Sequence, residues 1–125
     1  MRHYKTGNAS TPSLEYLEPK AGESFVGGEA VVLSAGVLTK CGASQKPQYI
    51  VQGIKTLRGC LPVIRVSSET TYLAALSAKG TALKPGDKVP ISADGVDVTA
   101  TTTDGVAEIV AIHGTEIGDS VEVKF

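Results

Sequence analysis

Gly28-Glu29-Ala30-Val31-Val32-Leu33-Ser34-Ala35, followed at once by Gly36-Val37, is echoed by Gly86-Asp87-Lys88-Val89-Pro90-Ile91-Ser92-Ala93, followed after one inserted residue by Gly95-Val96. In each copy an acidic residue follows a turn glycine, an apolar run reaches Ser-Ala, and a glycine leads into a second run that ends in threonine. Glycine supplies the positive φ of a tight hairpin without steric cost, and short β-branched runs fit a pleated, half-buried surface. The two stretches read as a pair of similar hairpins sharing one core. Two copies are too few for a solenoid, which needs about three stacked repeats.

The pattern extends outward from these hairpins. Short Val, Ile and Leu runs punctuated by Gly, Pro and Asp predict strands over 30–33, 37–40, 49–54, 61–66, 89–92, 96–102, 107–112 and 120–125. The stretch 69–79 is ambiguous, because Ser68 could cap a short helix ending at Gly80 with Leu73 and Leu76 on one face. Thr70-Thr71-Tyr72 tips it to a strand, since consecutive β-branched and aromatic residues lose less freedom there than in a helix. Residues 1–24 are polar and aperiodic, with Leu14, Tyr16 and Leu17 as their apolar handles. They carry too few apolar side chains to repay the ordering of the backbone, about 1–2 kcal/mol per residue. The expectation is an all-β chain: a small β-barrel or β-sandwich-like body over 25–125 built from two similar hairpin units, and an extended N-terminal arm over 1–24, largely unpaired when free. Removing the first thirteen residues should then leave thermal unfolding of the body unchanged.

Composition narrows the partners. The 125 residues suit one domain with its own core, and 42% hydrophobic with 20% charged residues is neither a disordered nor a membrane-spanning balance. Twelve Lys and Arg against 13 Asp and Glu leave no excess positive charge to attract a phosphate backbone or an anionic bilayer, so neither nucleic acid nor membrane is expected as a partner. No apolar leader segment opens the chain, which points to synthesis in a cytoplasm. Cys41 and Cys60 lack C-x-x-C spacing and nearby histidines, and read as small core residues; their spacing leaves a disulfide between them open.

Catalytic chemistry finds little to build on. The histidines are His3, in the arm, and His113, at a strand end. His113 with Asp119 or Glu116 would make a base and its orienter, but no Ser or Cys sits in a nucleophile elbow beside them. Glu29, Asp87, Asp94, Asp97, Asp104 and Asp119 stand next to glycines or at strand edges, where carboxylates accept backbone N–H bonds in turns rather than caging a metal. Lys84-Pro85-Gly86-Asp87-Lys88-Val89 is similar to turns in lipoyl-type domains, yet the lysine context of a modified hairpin tip is missing. No catalytic residue, metal or cofactor is expected.

Three stretches taken together resemble a known family. Gly86-Asp87-Lys88-Val89-Pro90-Ile91-Ser92-Ala93-Asp94-Gly95-Val96-Asp97-Val98-Thr99, then Gly105-Val106-Ala107-Glu108-Ile109-Val110-Ala111-Ile112, then Gly118-Asp119-Ser120-Val121-Glu122-Val123-Lys124-Phe125, look like the C-terminal half of the decoration, or cement, proteins of tailed-phage capsids. Gly28-Glu29-Ala30-Val31-Val32-Leu33 with Gly36-Val37-Leu38-Thr39 is similar to their N-terminal half. The resemblance covers about 25–125 and is one of turns and strand lengths. It implies a non-enzymatic structural protein on the exterior of the virion, a homotrimer at three-fold or quasi-three-fold positions that binds the major capsid protein and stabilises the mature head. The arm contacts the capsid in that family, which makes Leu14, Tyr16 and Leu17 the expected capsid-binding residues, adding to an exposed sheet edge as a strand. The alternative is a β-sandwich adhesion or carbohydrate-binding module on a cell or virion surface. Sugar-binding faces present aromatic platforms, and a chain with no Trp, two Phe and four Tyr favours a protein partner.

Overall fold

Ten strands follow one another along the chain: β1 (Arg2–Thr6), β2 (Leu14–Leu17), β3 (Ala30–Ser34), β4 (Val37–Lys40), β5 (Tyr49–Val51), β6 (Leu61–Arg65), β7 (Thr70–Ala75), β8 (Lys88–Val89), β9 (Ala107–Ile112) and β10 (Ser120–Lys124). The computed structural model describes residues 1–6, 13–54 and 56–125, with backbone only for Lys5 and Thr6. Two five-stranded antiparallel sheets result, ordered β1-β7-β10-β9-β8 and β2-β6-β5-β3-β4, and they stack as a sandwich without closing into a barrel.

The first sheet follows the alternation of its sequence. Val89, Ile109, Val123, Val121, Tyr72 and Ala74 point into the core between the sheets. Register then puts Lys88, Glu108 and Lys124 in one row on the opposite face, and Arg2, Leu73, Glu122 and Ala111 in another. The second sheet is different, because Ala30-Val31-Val32, Tyr49-Ile50-Val51 and Leu61-Pro62-Val63-Ile64 are continuous buried runs. Ala30, Ile50 and Ile64 face the shared core, whereas Val31, Leu38, Tyr49, Val51, Leu61 and Val63 form a second cluster with Phe25. A strand buried on both faces has no polar side to show, so alternation disappears. The chain after β2 supplies part of the cover: Leu17 packs on this cluster, Pro19 bridges Leu38, and Lys20 N–H donates to the Leu38 carbonyl at 2.9 Å.

The two repeat units diverge. The first is the hairpin β3–β4, with Ser34 opposite Val37 across a two-residue turn in which Ala35 and Gly36 have φ of 51° and 83°. The second keeps one bridge, Ile91 to Val98, flanked by Thr99 N–H to the Pro90 carbonyl (2.9 Å) and Ser92 N–H to the Asp97 carbonyl (2.8 Å). Pro90 offers no N–H to extend a ladder, and the inserted residue widens the turn, so the strands expected over 89–92 and 96–102 shrink to β8 and isolated bridges. The strand expected over 49–54 stops at Val51, and the one over 61–66 at Arg65. The 69–79 segment is a strand, β7, as Thr70-Thr71-Tyr72 indicated.

The N-terminal segment departs most from expectation. Instead of an unpaired arm, β1 pairs with β7 and β2 with β6, each as the outermost strand of a sheet. The sequence count missed Met1, whose side chain is buried in the shared core. Its amino group donates to the Gly28 carbonyl at 2.7 Å and the Val96 carbonyl at 2.8 Å, one from each repeat unit. A Cβ at Gly28 would sit 2.7 Å from the Met1 nitrogen, so glycine is required for this approach. Residues 7–12 of the expected arm lie outside the described residues.

Candidate interaction surfaces

Leu14, Tyr16 and Leu17 are brought together on β2 but not on one face. Pairing of Leu14 with Ile64 and Tyr16 with Pro62 places these two on the side facing the other sheet, beyond its cover, where they are 54% and 44% exposed. Leu17 points the other way onto the second cluster and is half-buried. Arg65 fixes the strand from its neighbour through Glu15, with Nε and Nη2 each 3.3 Å from a carboxylate oxygen, and stacks over the Tyr49 ring at 4.9 Å. This pair is exposed, so solvent screens it. The opposite margin of the sheet, β4, is bridged by Pro19, whereas no strand among the described residues pairs with the outer side of β2.

His113 does not meet Asp119 or Glu116. Its Nε2 lies 2.8 Å from Glu122 Oε2, a contact set by the β9–β10 pairing and by the His113 N–H to the Ser120 carbonyl (3.1 Å). Asp119 accepts the Glu116 N–H at 3.0 Å, and the Glu116 carboxylate meets Lys79 at 3.3 Å. The turn role expected of the carboxylates holds for Asp119, for Asp87 (Lys84 N–H, 2.9 Å), for Asp94 (Val96 N–H, 3.2 Å) and for Glu29 (Val26 N–H, 3.2 Å). Glu29 is also buried and ion-paired with Lys40 at 2.8 Å. Asp94 additionally accepts the Ser92 hydroxyl, which holds its carboxyl below the usual carboxylate range. Cys41 and Cys60 are free thiols and half-buried, with Cys41 packed against the margin of the shared core. Burial pushes the Cys41 thiol up to about 11.

Two concavities stand out among the described residues. One, of about 410 Å³, opens beside the N-terminus, between Arg2, Gly28, Leu73, Val96 and Asp97. Burial, and then the charge of Asp94, raises the Asp97 carboxyl, and burial lowers the Met1 amino group. The other, of about 260 Å³, lies at the β8 end of the first sheet and is lined by Lys46, Lys88, Gly105, Glu108, Lys124 and Phe125, with Val106. A signal for this row existed in the sequence: Lys88-Val89, Glu108-Ile109 and Val123-Lys124 alternate, which turns the charged residues outward. Their coming together needed the strand order. No protein-family model, no curated protein and no solved structure matches this chain.

Proposed function

We propose that this chain is a non-enzymatic structural protein that binds the outer surface of a tailed-phage head and stabilises the mature capsid, assembling there as a homotrimer at three-fold or quasi-three-fold positions. The observation that carries the reading furthest is the β2 edge. Leu14 and Tyr16 stand exposed on the terminal strand of a sheet whose inner strands are largely buried on both faces, an arrangement suited to adding a partner's strand while two apolar side chains anchor it. β2 is already paired with β6 along its length, so binding there needs less ordering than an unpaired strand would. Capsid contact therefore involves an edge already formed, rather than a free arm that folds on arrival. Three such edges on a trimer raise the effective affinity through the high local concentration of the second and third contacts.

The test is twofold. The reading frames adjoining the gene should include a major capsid protein, and the purified chain should co-sediment with heads assembled from that protein, in multiples of three per site, raising the temperature at which they disrupt. Heads that neither retain the chain nor gain stability would remove the proposal.

A further inference from the structure

We propose that the hollow between Lys46, Lys88 and Lys124 is a docking site for the carboxylates of an acidic segment of a partner protein. Lys88, Glu108 and Lys124 stand directly opposite one another on β8, β9 and β10, so their side chains rise from one row of the first sheet's outer face. Lys46 adds a third ammonium from the loop after β4, a loop tied to the segment just after β8 by the Ile91 N–H to the Ala43 carbonyl at 2.9 Å. Glu108 is held by Lys124 at 3.6 Å, which leaves Lys46 and Lys88 with no ion-pair partner among the described residues. The neighbouring Asp87 is engaged by the Lys84 N–H. Even with the Phe125 α-carboxylate counted, the residues lining the hollow carry more positive than negative charge, on a chain whose net charge is −1.

The floor is rigid and closely fitted. A Cβ at Gly105 would fall 2.0 Å from the Lys88 carbonyl oxygen, so the Gly105 backbone lies directly on β8 and fixes the depth of the hollow. Phe125, packed against buried Tyr72 with ring centroids 6.0 Å apart, forms an apolar wall. A hollow of about 260 Å³ has room for one or two carboxylate side chains and not for a nucleic-acid backbone, which needs a basic stripe running across the surface. This site is distinct from the β2 edge and stands whether or not the partner is a capsid.

Titration of the full chain, followed by amide chemical shifts, separates the possibilities. The probe is an acetylated, amidated pentaglutamate peptide, with inorganic phosphate and a short single-stranded DNA as parallel arms. The peptide should move the amides of Lys46, Lys88, Gly105, Glu108 and Lys124, with binding weakened about tenfold in the Lys46→Ala/Lys88→Ala double variant and again on raising salt from about 50 to 200 mM. Lys20→Ala/Lys79→Ala should bind as the wild type does. Thermal unfolding of the first double variant should be unchanged, since both lysines are exposed. Shifts spread evenly over the surface lysines, or phosphate or DNA binding here as tightly as the peptide, would overturn the assignment.

Discussion

The two sheets are equal in strand number and opposite in how they are covered. In β2-β6-β5-β3-β4 both faces are packed, one against the shared core and one beneath Phe25 and Leu17. In β1-β7-β10-β9-β8 one face is packed, and the outer one carries Leu73, Ala75 and Ala111 half-exposed among Arg2, His113, Glu122 and the lysine row. The difference sets how much each apolar side chain contributes to stability. Apolar side chains on the doubly covered sheet stabilise the fold by about 1.5–3 kcal/mol each through burial. Those on the singly covered sheet's outer face contribute less and remain available to a partner.

The largest effect should come from the margin of the singly covered sheet. Removing the first thirteen residues takes away β1 and the buried Met1 side chain, exposing the core beside Tyr72. Calorimetry should show a loss of about 3–5 kcal/mol. Unfolding equal to that of the full chain would mean that β1 is an independent arm after all.

A matched pair of truncations sharpens the comparison. Leu38→Ala, at 0% exposure in the second cluster, should cost about 3 kcal/mol, and Leu73→Ala, half-exposed on the other sheet's outer face, about 1 kcal/mol or less. Equal losses in denaturant midpoints would show that the outer face of the first sheet is as tightly covered as that of the second.

The repeat units offer a smaller contrast of the same kind. Glu29→Ala empties a buried position and removes the partner of Lys40 and of the Val26 N–H, and should cost about 1–2 kcal/mol. Asp87→Ala, the equivalent change in the second unit at a half-buried position, removes one turn hydrogen bond and should stay within about 0.5–1 kcal/mol. The smallest effect concerns pH. The Ser92 hydroxyl and the Val96 N–H favour the Asp94 carboxylate, so its folded pKa lies below its unfolded value. Its contribution is fully present above the ordinary carboxylate value and is lost as pH falls through the folded pKa. Asp94→Asn should therefore flatten the acid side of the stability profile and leave neutral pH differences constant. An unchanged acid limb would assign it to other carboxylates.

Strand existence was legible wherever alternation or a β-branched run was long, as in β7, β9 and β10. It was illegible where pairing partners decide the outcome. Val96-Asp97-Val98-Thr99 alternates like a strand but has Pro90 as a neighbour, and so keeps a single antiparallel bridge. Residues 2–6 have no apolar periodicity, yet edge strands need only backbone partners, and β7 supplies them. Double coverage of the second sheet was present in the unbroken run of Ala30-Val31-Val32, but part of what covers it, Leu17 and Pro19, comes from the segment that composition assigned to an arm. The contact of His113 with Glu122 depends on register, which one residue of slip would have reversed.

The claim on which the account turns is that the β2 edge, with Leu14 and Tyr16, is the surface that meets the phage head. Co-sedimentation of a Leu14→Asp/Tyr16→Asp variant with heads that saturate with the wild-type chain tests it most directly. The two side chains are exposed, so unfolding should be unchanged within about 0.5 kcal/mol, and the variant should occupy the heads at least about tenfold more weakly. A variant that folds normally and decorates heads as tightly as the wild type would place the contact elsewhere on the molecule.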